Sequence, residues 1–122
     1  MITALASAKQ EATVPHQEVK GNLSGSVNLS CESGGQPLTL CVWEKWGWNG
    51  QRDVIIVDQE VIKNGGVTSV PGIRATTDGL ENGKCDLKIQ RLNKDDFGSW
   101  SCTLLTKSGR AYGAEVSVVE GL

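Results

Sequence analysis

Histidine is almost missing from this sequence: His16 is the only one in 122 residues. A general base or a histidine metal site needs a partner acid, nucleophile or second ligand, and the stretch around His16 supplies none. His16 is therefore read as a surface or edge-strand residue. No Gly-rich phosphate loop sits between a strand and a helix, and no Cys-x-x-Cys or Cys-x-x-His spacing suggests zinc. Asp53, Asp58 and Glu60 lack the alternating pattern of a calcium loop and read as a solvated edge. The expectation is a non-enzyme with no cofactor and no metal.

Excess charge is lacking too, with 12 Lys plus Arg against 14 Asp plus Glu. That balance leaves no electrostatic footprint for nucleic acid or an acidic membrane. Long apolar runs are absent: Val54 to Val57 falls far short of the roughly 18 residues of a membrane helix. At the start, Ala6-Ser7-Ala8 has the small-x-small pattern of a leader cleavage site but no basic segment precedes it. Residues 1–10 are read as a leader or cloning remnant, and 11–120 as one domain, an excised ectodomain module.

What the chain does have is 15 glycines, only three prolines and no window of sustained helical periodicity. Short apolar stretches recur between turn signals: Glu11 to Val19, Val27 to Cys31, Thr39 to Trp46, Val54 to Val57, Ile73 to Thr77, Cys85 to Ile89, Trp100 to Thr106 and Ala111 to Val119. About nine strands with turns every eight to twelve residues or so point to an all-β sandwich. Four cysteines, an even number, read as two disulfides and hence an oxidising compartment. Two Asn-Leu-Ser sequons, at Asn22 and Asn28, permit N-glycosylation there.

The most ordered pattern runs from Leu87 to Cys102. Asp96, Gly98, Trp100 and Cys102 occupy every second position, which on a strand places all four on one, buried side. Gly98 and the period of two argue against a short helix over Lys94 to Trp100.

With Val27-x-Leu29-x-Cys31, Trp43 downstream, and Leu87-x-Ile89-x-x-Leu92 leading into Asp96-x-Gly98-x-Trp100-x-Cys102, the stretch Val19 to Val119 resembles the immunoglobulin superfamily. The resemblance implies a Greek-key sandwich, and the distance from Cys31 to Cys102 leaves room for the extra strands of a variable-type (V-set) domain. It further implies a Cys31–Cys102 framework disulfide, a second bridge Cys41–Cys85 between the sheets, and a core and corner built on Trp43, Leu87 and Trp100. An ion pair between Arg74 and Asp96 would close one end. Two departures stand out. Trp100 occupies the place of the corner tyrosine, and Ala111 to Val116 lacks the Phe-Gly-x-Gly bulge of rearranging receptors. The missing bulge argues against a rearranging receptor, and a second bridge across the sheets, with tryptophan in the tyrosine place, looks more like invertebrate V-like surface proteins than vertebrate receptors.

Function then falls to a surface. With Trp43 inward, the resemblance directs Val42, Glu44 and Trp46 outward from the G-F-C-C' sheet, joined by Trp48 in the turn, Thr103 and Leu105 on strand F, and Tyr112 on strand G. In V-set domains this face pairs with itself, with another immunoglobulin-type domain or with another protein ligand, and exposed tryptophans are favoured anchors. The competing structural role for Trp46 and Trp48 is to cover the turn against Val54 or Ile56. The competing function is a secreted or surface immune-type domain that stacks microbial carbohydrate on these aromatics, the loops at Gly34-Gly35 and Lys107 to Gly109 contributing.

Overall fold

The structure, a computed structural model, describes residues 16–47, 50 and 52–121; Trp48 and the leader-like segment lie outside the described residues. Among the described residues eight strands follow in order: β1 His16–Gly21, β2 Val27–Leu29, β3 Leu38–Trp46, β4 Arg52–Val57, β5 Ile73–Ala75, β6 Leu87–Ile89, β7 Gly98–Thr106 and β8 Ala111–Glu120. They form a five-stranded sheet ordered β1-β8-β7-β3-β4 and a three-stranded sheet ordered β2-β6-β5. Every pairing is antiparallel except that of β1 with β8, which is parallel.

Strand alternation builds the core. Val27 and Leu29, Ile73 and Ala75, and Leu87 and Ile89 point inward from the short sheet. Trp43, Ile55, Trp100, Cys102, Leu104, Val116 and Val118 meet them from the long one. Two disulfides tie the layers together, Cys31–Cys102 and Cys41–Cys85, with Cα atoms 6.6 and 6.4 Å apart. Such bridges persist in oxidising compartments. No helix among the described residues is long and apolar enough to cross a membrane.

Both core tryptophans are held by a backbone carbonyl. Trp43 donates its indole N–H to Cys85 O at 3.2 Å, crossing from β3 to the segment that precedes β6. Trp100 donates to Asp96 O at 2.9 Å, four residues upstream. A buried indole left without an acceptor would be costly, so these bonds orient the rings as well as satisfy them.

Several sequence expectations change. Between β4 and β5, where the variable-type resemblance implies a further strand, the chain forms a short helix, α1, at Gln59–Lys63. Asp58 starts it, accepting from Val61 N at 3.1 Å, with Glu60 in the first turn and Lys63 in the last. These local cap signals outweigh the absence of helical periodicity. Lys94–Asp96 is one 3-10 turn, closed by Asn93: its side chain accepts from Asp95 N, while its own N–H donates to Asp96 Oδ2. Asp96 therefore lies outside the alternation and is only half-buried, and Gly98 is exposed; Trp100 and Cys102 alone are buried as expected.

The expected Arg74–Asp96 ion pair does not form. Between buried Ile73 and Ala75, Arg74 must point outward, and it donates to Gly65 O at 3.4 Å. Lys45, 4% exposed on β3, is the cation that acts on Asp96 instead; its Nζ also donates to Trp46 O at 2.6 Å. Burial pushes the Asp96 carboxyl above its ordinary range, offset in part by the Asn93 N–H and Lys45 and reinforced by Asp95 and Asp53.

Candidate recognition face on the five-stranded sheet

The register of the long sheet lines its outward residues into rows. One row reads Ile56, Val42, Thr103, Gly113; the next Val54, Glu44, Ser101, Glu115. Arg52 lies opposite Trp46, and Ser99 opposite Ser117, beyond them. Facing residues of an antiparallel pair share a side, so these side chains form one surface.

The β3–β4 half of this surface is apolar. Trp46 is 60% exposed, Ile56 50% and Val54 37%, with Val42 half-buried between them. Arg52 lies over the Trp46 ring, 5.5 Å from its centroid, and its Nη1 is 3.2 Å from Glu44 Oε2. The aromatic face and the carboxylate together hold the guanidinium in place on the sheet. Leu40 and Leu105 pair at the far end of the same side, half-buried.

The β7–β8 half is polar and concave. Ser101, Thr103, Gly113, Ala114, Glu115 and His16 line a shallow hollow of about 330 Å³. His16 stands at its rim, Nδ1 3.5 Å from Glu115 Oε1 and Nε2 3.1 Å from Ser117 Oγ, so this histidine fastens β1 to β8. The edge-strand reading of His16 holds.

Of the residues expected on the face, Val42, Glu44, Trp46, Thr103 and Leu105 are brought together. Trp48 lies outside the described residues. Tyr112 is a correction: it pairs with buried Leu104, which turns its ring to the inner side, where its hydroxyl accepts from Gln36 Nε2 at 3.1 Å. Trp46 is exposed rather than folded down over Val54 or Ile56, and those two belong to the face. Arg52 and the hollow also escaped the sequence reading. The hairpin register could have found Val54 and Ile56, because an inward Trp43 opposite Ile55 forces Val54 and Ile56 outward.

Other expected sites fall elsewhere. Asn22 and Asn28 are both exposed; Asn28 is on the outer side of the three-stranded sheet beside Lys88, away from the face just described. Asp58 is engaged as the cap of α1, while Asp53 lines a separate hollow of about 140 Å³ with Asp95 and Asp96. Asp86, next to Cys85, is also pushed up by burial, eased by the Cys31 N–H that its Oδ1 accepts at 3.3 Å and by Lys84, and worsened by Glu32 and Asp78. Neither shifted carboxyl belongs to the face: Asp96 closes the turn before β7, and Asp86 holds the Cys31 N–H.

Set against known proteins, the chain matches no family model and no curated protein, so fold and face carry the functional reading by themselves.

Proposed function

We propose that this chain is a V-like immunoglobulin-type domain, a non-enzymatic extracellular recognition or adhesion module that binds a protein partner through the outer face of its five-stranded sheet. The sheet orders support the fold, since β1-β8-β7-β3-β4 over β2-β6-β5 corresponds to A'-G-F-C-C' over B-E-D of that family. So do the Cys31–Cys102 bridge, buried Trp43, and a corner bond from Trp100 to Asp96 O made where a tyrosine usually makes it. The segment holding α1 takes the place of strand C''. Its two disulfides favour the outside of a cell or a secreted form.

One observation carries the function: Trp46, Val54 and Ile56 form an exposed apolar cluster on one sheet half, rimmed by Arg52 and Glu44. Apolar surface gathered in a rimmed patch marks an interaction site more often than scattered leucines do. Arg52 already covers one face of the Trp46 ring, which disfavours a sugar stacked there.

The test presents the chain as a tetramer to a set of immunoglobulin-type ectodomains and to itself. Wild type, Ile56→Asp and, on the opposite sheet, Lys88→Glu are compared. Both positions are exposed, so each variant should keep its stability within about 1 kcal/mol. Binding lost in Ile56→Asp and kept in Lys88→Glu is expected; equal binding by all three removes the face from consideration.

A further inference from the structure

Strand β4 ends the long sheet among the described residues, and nothing in its sequence blunts that edge. Edge strands usually carry a proline, a bulge or a mid-strand charge that deters pairing. Arg52–Val57 has no proline and pairs with β3 without a register shift, and its charges, Arg52 and Asp53, sit at one end, leaving Val54-Ile55-Ile56-Val57 bare. Helix α1 follows where the variable-type resemblance implies a covering strand, and it turns Val61 and Ile62 against the core instead.

The ladder shows which backbone groups this edge presents. Thr106 N–H donates to Arg110 O at 2.8 Å, one step beyond the pair Leu105↔Ala111, so Thr106, Leu104 and Cys102 bond to β8. Leu105, Thr103 and Ser101 therefore bond to β3, through Leu40, Val42 and Glu44. That leaves Trp43 and Lys45 to bond Ile55 and Asp53 on β4. The N–H and C=O groups of Val54 and Ile56 consequently point away from the sheet.

We infer that β4 of a second copy completes this edge, the two strands running antiparallel about a two-fold axis at Ile55 and joining two five-stranded sheets into one. The outer face stays open in this arrangement, so the edge pairing goes beyond the protein-binding reading above and stands or falls apart from it. The order of residues along the edge selects a second copy. An antiparallel partner needs an acid opposite Arg52, apolar residues opposite Val54 and Ile56, and a base opposite Asp58. Strand β4 read backwards supplies Asp58, Ile56, Val54 and Arg52 in that order.

Val54 of each copy then exchanges both ladder bonds with Ile56 of the other, and these two exposed side chains cover one another across the seam. Asp58 keeps extended backbone, φ −128° and ψ −172°, so the ladder reaches it; its Oδ1 accepts from Val61 N, and its Oδ2 meets Arg52 of the second copy. The inner layer ends on the same side of the domain. Asp53 shares a hollow with Ile73 of β5, and beyond β5 Val67, another exposed apolar residue, bridges Arg74. A ladder about 20 Å long buries less than a standard interface, so the dimer is weak and reversible.

Amide hydrogen exchange of the untagged chain, read residue by residue by NMR at about 50 μM and about 1 mM, tests the pairing. Val54 and Ile56 should exchange about threefold or more slowly at the higher concentration, while Ile55, bonded to β3, is protected alike at both. Sedimentation equilibrium to about 1 mM reads three variants. Val54→Pro keeps the bonds to β3 but removes an edge donor and should abolish association. Arg52→Glu sets a carboxylate against Asp58 twice and should weaken the dimer about tenfold, less at high salt. Thr103→Arg, exposed on the outer face away from the edge, should leave it unchanged. A monomeric wild type, exchange at Val54 and Ile56 that ignores concentration, association kept in Val54→Pro, or association lost in Thr103→Arg overturns the edge pairing. A dimer indifferent to Arg52→Glu overturns its register. Protection of those two amides that appears only in complexes with the ectodomains tested above gives the edge to another chain and overturns the second copy.

Discussion

Replacing Trp100 with phenylalanine and, separately, with tyrosine isolates the bond that holds the β6–β7 corner. The indole is fully buried and its Nε1 donates to Asp96 O at 2.9 Å, at a site that is only part-buried. Trp100→Phe removes the donor and part of the ring. The lost hydrogen bond costs about 1 kcal/mol, because water reaches part of the site and can serve the carbonyl. The space left by the smaller ring adds about 1–2 kcal/mol, well below the 3–5 kcal/mol or so of a full truncation to alanine. The sum is about 2–3 kcal/mol. Trp100→Tyr leaves a similar space but returns a hydroxyl where immunoglobulin-type corners carry one, so it should recover about 1 kcal/mol of that loss. Urea unfolding with both disulfides intact measures the difference directly, the slope against denaturant checking that the unfolded chain is unchanged. Equal stability of the two variants, within about 0.3 kcal/mol, would refute the view that the corner bond matters beyond packing.

Two further outcomes test the core and its electrostatics. Cys41→Ala with Cys85→Ala opens a loop of 44 residues and should cost about 4 kcal/mol by loop entropy, nearer 3 because it nests inside the Cys31–Cys102 loop; urea unfolding measures it, and a cost below about 1 kcal/mol would contradict the estimate. Lys45→Met should destabilise in a pH-dependent way. Asp96 is raised above 3.8, so its contribution is most favourable at pH values below 3.8 and erodes as pH rises through its folded value. Removing Lys45 deepens that erosion, so the penalty of the variant should grow from pH 3 to pH 7, and a penalty flat across that range would show that Lys45 acts through packing alone.

The framework was legible because period-two patterns survive burial on one side only. Val27-x-Leu29-x-Cys31 and Leu87-x-Ile89 became β2 and β6 with their alternate residues in the core. Both disulfides paired as the resemblance implied. Where both sides of a strand are apolar the pattern says nothing about direction, and so Val54 to Val57 hid two exposed residues. Tyr112 and Arg74 were misplaced for a related reason. Each was assigned from a family position, while the alternation of its own strand turns the side chain the other way, Tyr112 inward opposite Leu104 and Arg74 outward opposite Lys88. Helix α1 was missed because five residues are too few to show a period, although its cap, Asp58, is a local signal. The hollow had no sequence signature at all, since a glycine among 15 glycines is silent until its neighbours are known.

The parallel pairing of β1 with β8 sets how the domain bears load. His16↔Glu115 through Gly21↔Glu120 run in the same direction, so the chain enters the ladder at one pole and leaves it at the other. Tension applied through the start of β1 and the end of β8 slides the two strands past each other lengthwise and strains every rung at once, whereas a hairpin pulled from its open end unzips rung by rung. Past that point, extension stops at the Cys31–Cys102 covalent link, leaving the enclosed chain unstretched. A domain built this way resists pulling along its axis far better than peeling from its side.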